Sequence, residues 1–237
     1  MRIKTMNSTA LCAAMLLIAA LPAHADWTGK GEAGLVSANG NTDSKTVSAK
    51  LGATDVDGDW KHQFDLSVLR ASTSGVKSAE RYTLGEQSNY KLDLHSFVFG
   101  AVDYQNDKFS GFLYQTDVTG GYGYQFYDTK KIKLSTQVGV GYRKIKDNLG
   151  DESKGNAVGT AGMNYENAIT ETTKILDKAS IVAGSANTQI RNFLGLEVKM
   201  STALALSVGL DVQRNSRPPA PKKTTDELTT VAIVYSF

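Results

Sequence analysis

Side chains able to do nucleophilic or metal chemistry are scarce in this chain: its 237 residues include one cysteine, Cys12, and three histidines, His24, His62 and His95. Cys12 and His24 belong to an amino-terminal segment treated below. His62 begins a strand-like run and His95 stands beside a short turn. Neither sits where a serine nucleophile would find its usual base, so no catalytic residues are expected. A metal centre fares no better, because the remaining histidines are far apart and no thiolate accompanies them. The stretch "DNLGDESKGN" gathers Asp147, Asp151 and Glu152, but it lacks the EF-hand spacing and carries Lys154 as a neutraliser. It reads as a solvated loop, and no cofactor or metal is expected.

Charge on alternating positions is the richer chemistry. Lys50, Lys61, Asp65, Gln115, Asp117, Lys133, Arg143, Arg191, Glu197, Lys199 and Asp211 all fall on the polar phase of period-two runs. Both signs are mixed along that phase, whereas a strongly selective pore lines its path with one. A second group, Arg214, Arg217, Lys222 and Lys223, borders the proline-rich loop "RPPAPKK", where lipopolysaccharide phosphates are the expected counter-charges.

The elements that must position these residues are strands. "VSAKLGAT", "WKHQFDLSV", "FLYQTDVTGGYGYQF", "LSTQVGVGY" and "LALSVGLDV" all alternate apolar with polar. Breakers such as Asp57-Gly58, Ser74-Gly75 and Asn148-Leu149-Gly150 separate them. Twelve strands are expected, near 26–37, 44–55, 59–71, 80–92, 95–107, 111–127, 131–146, 156–168, 172–186, 188–200, 203–215 and 226–237. In 95–107, Phe97 and Phe99 share a phase with Asp103 and Gln105, which suggests a bulge. Glu86 and Asp177 fall on the phase expected to face outward.

Residues 1–25 have another character. Arg2 and Lys4 precede the apolar run "ALCAAMLLIAAL", and Ala23-His24-Ala25 forms a cleavage pattern, the layout of a secretory signal peptide. Its loss removes Cys12 and two of the 26 basic residues, leaving as many as the 24 acidic ones, so the charge balance gives no reason to expect nucleic acid. Residues 26–237 then form one all-β domain. Long alternating strands, even in number, fit an antiparallel up-and-down transmembrane barrel with both termini periplasmic. Short turns near 56–58, 93–94, 128–130, 169–171 and 201–202 would face the periplasm, and longer loops at 72–79, 147–155 and 216–225 the exterior. None of these loops is long enough to be expected as a plug. Trp27, Trp60, Tyr90, Tyr124, Tyr127, Tyr142, Tyr165 and Tyr235 suit interfacial girdles.

"SANGNTDSKTVSAKLGATDVDGDWKHQFDLSV", "ERYTLGEQSNYKL", "FVFGAVDYQNDKFSGF" and "DELTTVAIVYSF" together resemble the YdiY-like family of salt-induced outer-membrane proteins, whose function is unknown. The resemblance implies an outer-membrane barrel and supplies no catalytic residues. The ending Val231, Ile233, Tyr235 and Phe237 also resembles the signal read by the barrel-assembly machinery. Taken together, the expectation is a non-enzymatic outer-membrane barrel, a narrow, weakly selective channel for small solutes or ions linked to salt or envelope stress. The alternative is a closed-lumen structural barrel that binds lipopolysaccharide or an envelope partner, with a hydrolase third.

Overall fold

A computed structural model describes residues 27–38, 44–107, 110–147 and 153–237. Residues 1–25, expected to be a signal peptide, residues 39–43, and Asp151 and Glu152 lie outside the described residues.

The twelve strands are β1 (Thr28–Ala38), β2 (Ser44–Asp57), β3 (Trp60–Thr73), β4 (Val76–Lys91), β5 (Ser96–Asp107), β6 (Phe112–Asp128), β7 (Ile132–Asp147), β8 (Lys154–Ala168), β9 (Thr173–Gly184), β10 (Thr188–Lys199), β11 (Leu204–Asn215) and β12 (Thr225–Ser236). Each pairs antiparallel with its sequence neighbours, and β12 returns to β1 to close the barrel. Closure leaves no open edge, which a lipid environment would penalise through unpaired backbone groups. The seam is the shortest pairing, from Lys30↔Ser236 to Gly34↔Ala232. Phe237 extends it: its N–H donates to Gly29 O at 3.0 Å and its carbonyl accepts from Gly29 N at 2.9 Å.

The barrel is inside-out relative to a water-soluble protein. Its outer face exposes Leu66, Leu84, Val102, Val118, Val140, Leu196, Val208 and Ile233 around the circumference. Its interior buries Arg143, Asp117, Gln115, Gln189, Gln213 and Glu197. Apolar surface on this scale is stable against lipid and costly against water, so the chain is a membrane β-barrel. The start of β1 and the end of β12 lie at one rim, called here the terminal rim. Its aromatic collar pairs Trp60 with Tyr90 (ring centroids 5.0 Å apart), Trp27 with Phe64 (5.6 Å) and Tyr124 with Phe126 (4.9 Å).

Three expectations change. The loop expected at 72–79 is a two-residue turn: Ser74 and Gly75 both have positive φ, 51° and 77°, the geometry that matches strand twist in a tight hairpin. No bulge separates Phe99 from Asp103, because β5 runs in unbroken register against β6 from Ser96 to Gln105. Phe97 and Phe99 instead point inward over missing side chains: a Cβ on Gly123 would collide with the Phe97 ring, and one on Gly121 or Gly139 with Phe99. The register shifts fall elsewhere, at Ala71/Ser72, Gln105/Asp107, Phe112/Tyr114 and Gln125/Tyr127. Finally, the 216–224 connection does not stay at the rim of its own strands. A Cβ on Gly111, between β5 and β6, would lie 2.8 Å from Pro219, so the loop crosses the far mouth to the opposite wall.

Candidate functional site: the polar lumen

Alternation sets the lumen wall. One register row runs Gly52, Asp65, Gly85, Asp103, Asp117 and Arg143 across six strands. At its end Arg143 Nε and Nη2 donate to Asp117 Oδ1 and Oδ2, each at 2.6 Å, a bidentate pair with the arginine fully shielded. Gly85 leaves room between its acidic neighbours, since a Cβ there would stand 3.1 Å from Asp103 Oδ1.

Toward the far mouth the two walls are tied together. Gln105 on β5 bonds Gln213 on β11 and Gln189 on β10, both at 3.5 Å, and accepts a bond from Arg191. Arg81 Nε donates to Asp107 Oδ2 at 2.6 Å, and Asn187 Nδ2 to Asn215 Oδ1 at 2.8 Å. Below this far-mouth layer, nearer the terminal rim, Gln87 and Gln137 exchange bonds of 3.1 and 3.2 Å between β4 and β7. Within this layer Arg143 Nη1, Arg191 Nε, Gln213 Nε2 and both amide atoms of Gln115 are buried without a protein partner. Buried polar atoms of this kind require water or a solute, since leaving them bare costs about 1–3 kcal/mol each.

A cavity lies on each side of the layer. One of about 380 Å³ opens at the far mouth between Phe112, Ile145, Asp147, Lys154, Arg217 and Pro219. The other, of about 270 Å³, opens at the terminal rim and is lined by Lys30, Lys174, Lys199 and Glu197 among hydroxyl side chains. Lys30 Nζ reaches Glu197 at 3.0 Å, and Lys174 Nζ reaches both Glu197 and Glu166 at 3.4 Å.

The eleven inward-phase residues named from sequence are therefore spread over the lumen's length. Lys61, Lys133, Glu197 and Lys199 lie near the terminal rim, and Asp117, Gln115, Arg143 and Arg191 lie beyond the middle. Lys50 sits between, 3.9 Å from Glu32 and 4.3 Å from the centre of the Phe193 ring, while Lys133 pairs with Asp128 at 3.6 Å. Among the described residues Asp65 and Asp211 have no carboxylate-cation pair within 4.0 Å. Sequence reading missed Lys30, Arg81, Gln105, Asp107, Lys174, Lys178, Gln189 and Gln213. Continued alternation was the available signal: Lys174 and Lys178 share one phase of β9, as Gln189 and Arg191 do on β10.

The basic group does not form one patch. Arg214 is exposed on the outer phase of β11 opposite Ile190, and Lys223 is exposed in the loop. Arg217 is committed to the rim, its Nη1 donating to Ser185 O at 2.5 Å and its backbone N to Asn187 Oδ1 at 3.2 Å. Lys222 packs its stem by Gly111. At the other end Val231, Ile233 and Tyr235 face outward, and Phe237 lays its ring over Gly29.

His62 has polar neighbours on the outer face. Its Nδ1 lies 2.7 Å from Ser88 Oγ, which donates to Glu86 Oε1 at 2.5 Å, so Glu86 finds partners on the outer face. Asp177 likewise accepts from Asn192 Nδ2 at 2.7 Å. In the first cluster serine stands between the other two groups. A nucleophilic triad needs histidine in that place, with a carboxylate orienting its far nitrogen. His95 Nδ1 is engaged by Gln125 O at 3.0 Å.

Comparison with known proteins agrees with this architecture. The chain is 27% identical over 213 residues to the uncharacterized protein YdiY of Escherichia coli (strain K12), covering 88% of this chain and 82% of that one. The structure of the NanC porin superposes with a TM-score of 0.53 at 9% identity, covering 88% of this chain and 98% of the porin, a likeness of fold. Residues 31–237 match the family described as a protein of unknown function, DUF481, and the chain belongs to that family.

Proposed function

We propose that this protein is a narrow, non-enzymatic channel of the outer membrane, exported by a cleaved signal peptide and inserted with both termini in the periplasm. One observation carries the reading: two cavities, at opposite mouths, are separated by a layer that is polar and incompletely satisfied, not apolar. An inert filling would be packed and fully bonded, whereas orphaned guanidinium and amide groups favour a thread of water. The serine-centred His62 cluster supports the absence of hydrolysis. The link to salt or envelope stress follows the family resemblance. Arg214 and Lys223 remain available to lipopolysaccharide phosphates, and the Phe237 end to the assembly machinery.

Planar-bilayer recording tests the channel. Reproducible small conductance steps are expected from the purified barrel. A second reading, a closed barrel, draws on the Gln105 bonds to Gln189 and Gln213 that join opposite walls. Silence of both the wild type and a Gln105→Ala barrel sinks the channel in favour of that closed form.

A further inference from the structure

The charges of the lumen are mixed in sequence, but five of its lysines gather at one height. Lys30, Lys61, Lys133, Lys174 and Lys199 come from five different strands, and each lies within three residues of the terminal end of its strand. Their register partners place them on the inward phase, and together they ring the terminal mouth. Neutralisation is incomplete. Glu197 is shared by Lys30 and Lys174, Glu166 also pairs with Lys174, and Asp128 serves Lys133, but Lys61 and Lys199 have no carboxylate within 4.0 Å among the described residues. Lys61 has Lys133, Asp128 and Lys178 as charged neighbours. Three of the five lysines, Lys30, Lys174 and Lys199, line the 270 Å³ cavity, whose remaining wall offers Ser201, Thr202 and Ser236 hydroxyls beside Glu197 and the exposed Glu171.

We infer that the terminal mouth is a binding site for a small phosphate-bearing anion. Three ammonium groups at the cavity, with Lys61 and Lys133 farther round the same mouth, outnumber the paired acids Glu166, Glu197 and Asp128, and the surplus positive charge draws anions in. Lysine suits a tetrahedral oxyanion approached from several sides, because each ammonium is a compact point charge without the planar fork that selects carboxylates. Serine and threonine hydroxyls supply the neutral donors that complete the shell. Glu197 then acts as an internal competitor, holding Lys30 and Lys174 in place while the site is empty. The site refines the channel reading by giving the terminal mouth a sign, yet its occupancy does not require conduction.

The test uses the mature full-length barrel in uncharged detergent, with inorganic phosphate as the probe and calorimetry or phosphorus NMR as the readout. Saturable binding is expected, weakened roughly threefold to tenfold by Lys199→Gln or by Lys30→Gln, in proportion to the loss of one partly screened charge. Glu197→Gln should move affinity the opposite way, tightening it by removing the competing carboxylate. Opposite signs from two members of one ion pair distinguish a site from a general loss of structure. If Glu197→Gln destabilises the barrel, Lys199→Gln, which touches no ion pair, still decides. Absence of saturable binding in the wild type, or a Lys199→Gln barrel that binds phosphate unchanged, overturns the site. Reversal potentials in a salt gradient supply a separate arm: a conducting barrel that favours anions supports the ring, and a cation-selective one counts against it. Phosphate binding by an electrically silent barrel keeps the site and removes the channel.

Discussion

Arg143 grips Asp117 through two bonds of 2.6 Å between neighbouring strands β7 and β6, with the arginine wholly shielded from solvent. The pair closes a row in which, among the described residues, Asp65 and Asp103 have no ion pair within 4.0 Å, and the Arg191 guanidinium is a second positive neighbour of Asp103 and Asp117. Breaking it exposes the asymmetry of buried charge, where losing one partner costs far more than losing both. Arg143→Met should destabilise the barrel by about 3–5 kcal/mol in denaturant unfolding from vesicles, and Asp117→Leu added to it should recover much of the loss. Equal stability of the single and double variants would count against the pair.

Gln105 holds two walls together, and its loss should open the layer between the cavities. A Gln105→Ala barrel is expected to pass more current per step than the wild type at the same salt, with little change in melting temperature. An unchanged step size places the constriction elsewhere.

Inward aromatic rings depend on facing glycines. The Phe97 ring occupies the space a Cβ on Gly123 would need, and the Phe193 ring does the same at Gly209. Gly123→Ala and Gly209→Ala should each destabilise by about 1–3 kcal/mol through overpacking. Phe97→Leu should relieve the first and not the second, a pattern readable by thermal melting.

The terminal-rim turn carries its own pH dependence. Asp93 Oδ1 accepts the backbone N–H of His95 and of Ser96, each at 2.8 Å, and these bonds hold its carboxyl below the usual aspartate range. A depressed folded-state pKa means this stabilisation is complete above the unfolded value and disappears as pH falls through the folded one. Carbon NMR titration of the Asp93 carboxyl should therefore give a midpoint below that of a model peptide, and Asp93→Asn should flatten the acid limb of turn stability. A midpoint at or above the peptide value contradicts the bonds.

Phe237 closes the shortest seam, through two backbone bonds to Gly29 and a ring laid over that glycine. Deleting it should lower the yield of assembled barrel in membranes while leaving the conductance of those that form unchanged. Full assembly of the truncated chain argues that the last residue is dispensable to insertion.

What the sequence determined by itself is local. Alternation at period two placed Trp60, Phe64 and Leu66 outside and Asp117, Arg143 and Glu197 inside, because successive side chains of a strand must take opposite faces. Strand number and the even count followed from turn residues at regular intervals, and closure from the cost of an open edge in lipid. Tertiary structure decided everything that depends on stagger between distant strands. No spacing within β5 shows that Gln105 meets Gln189 and Gln213 across the barrel, or that Phe97 and Phe99 turn inward, because the room they fill is made by glycines on β6 and β7. The proline loop reads as an exterior connection until its reach to Gly111 brings Pro219 over the far mouth. The lysines read as one sign of a mixture until closure brings the ends of their strands to a single rim and gathers them there.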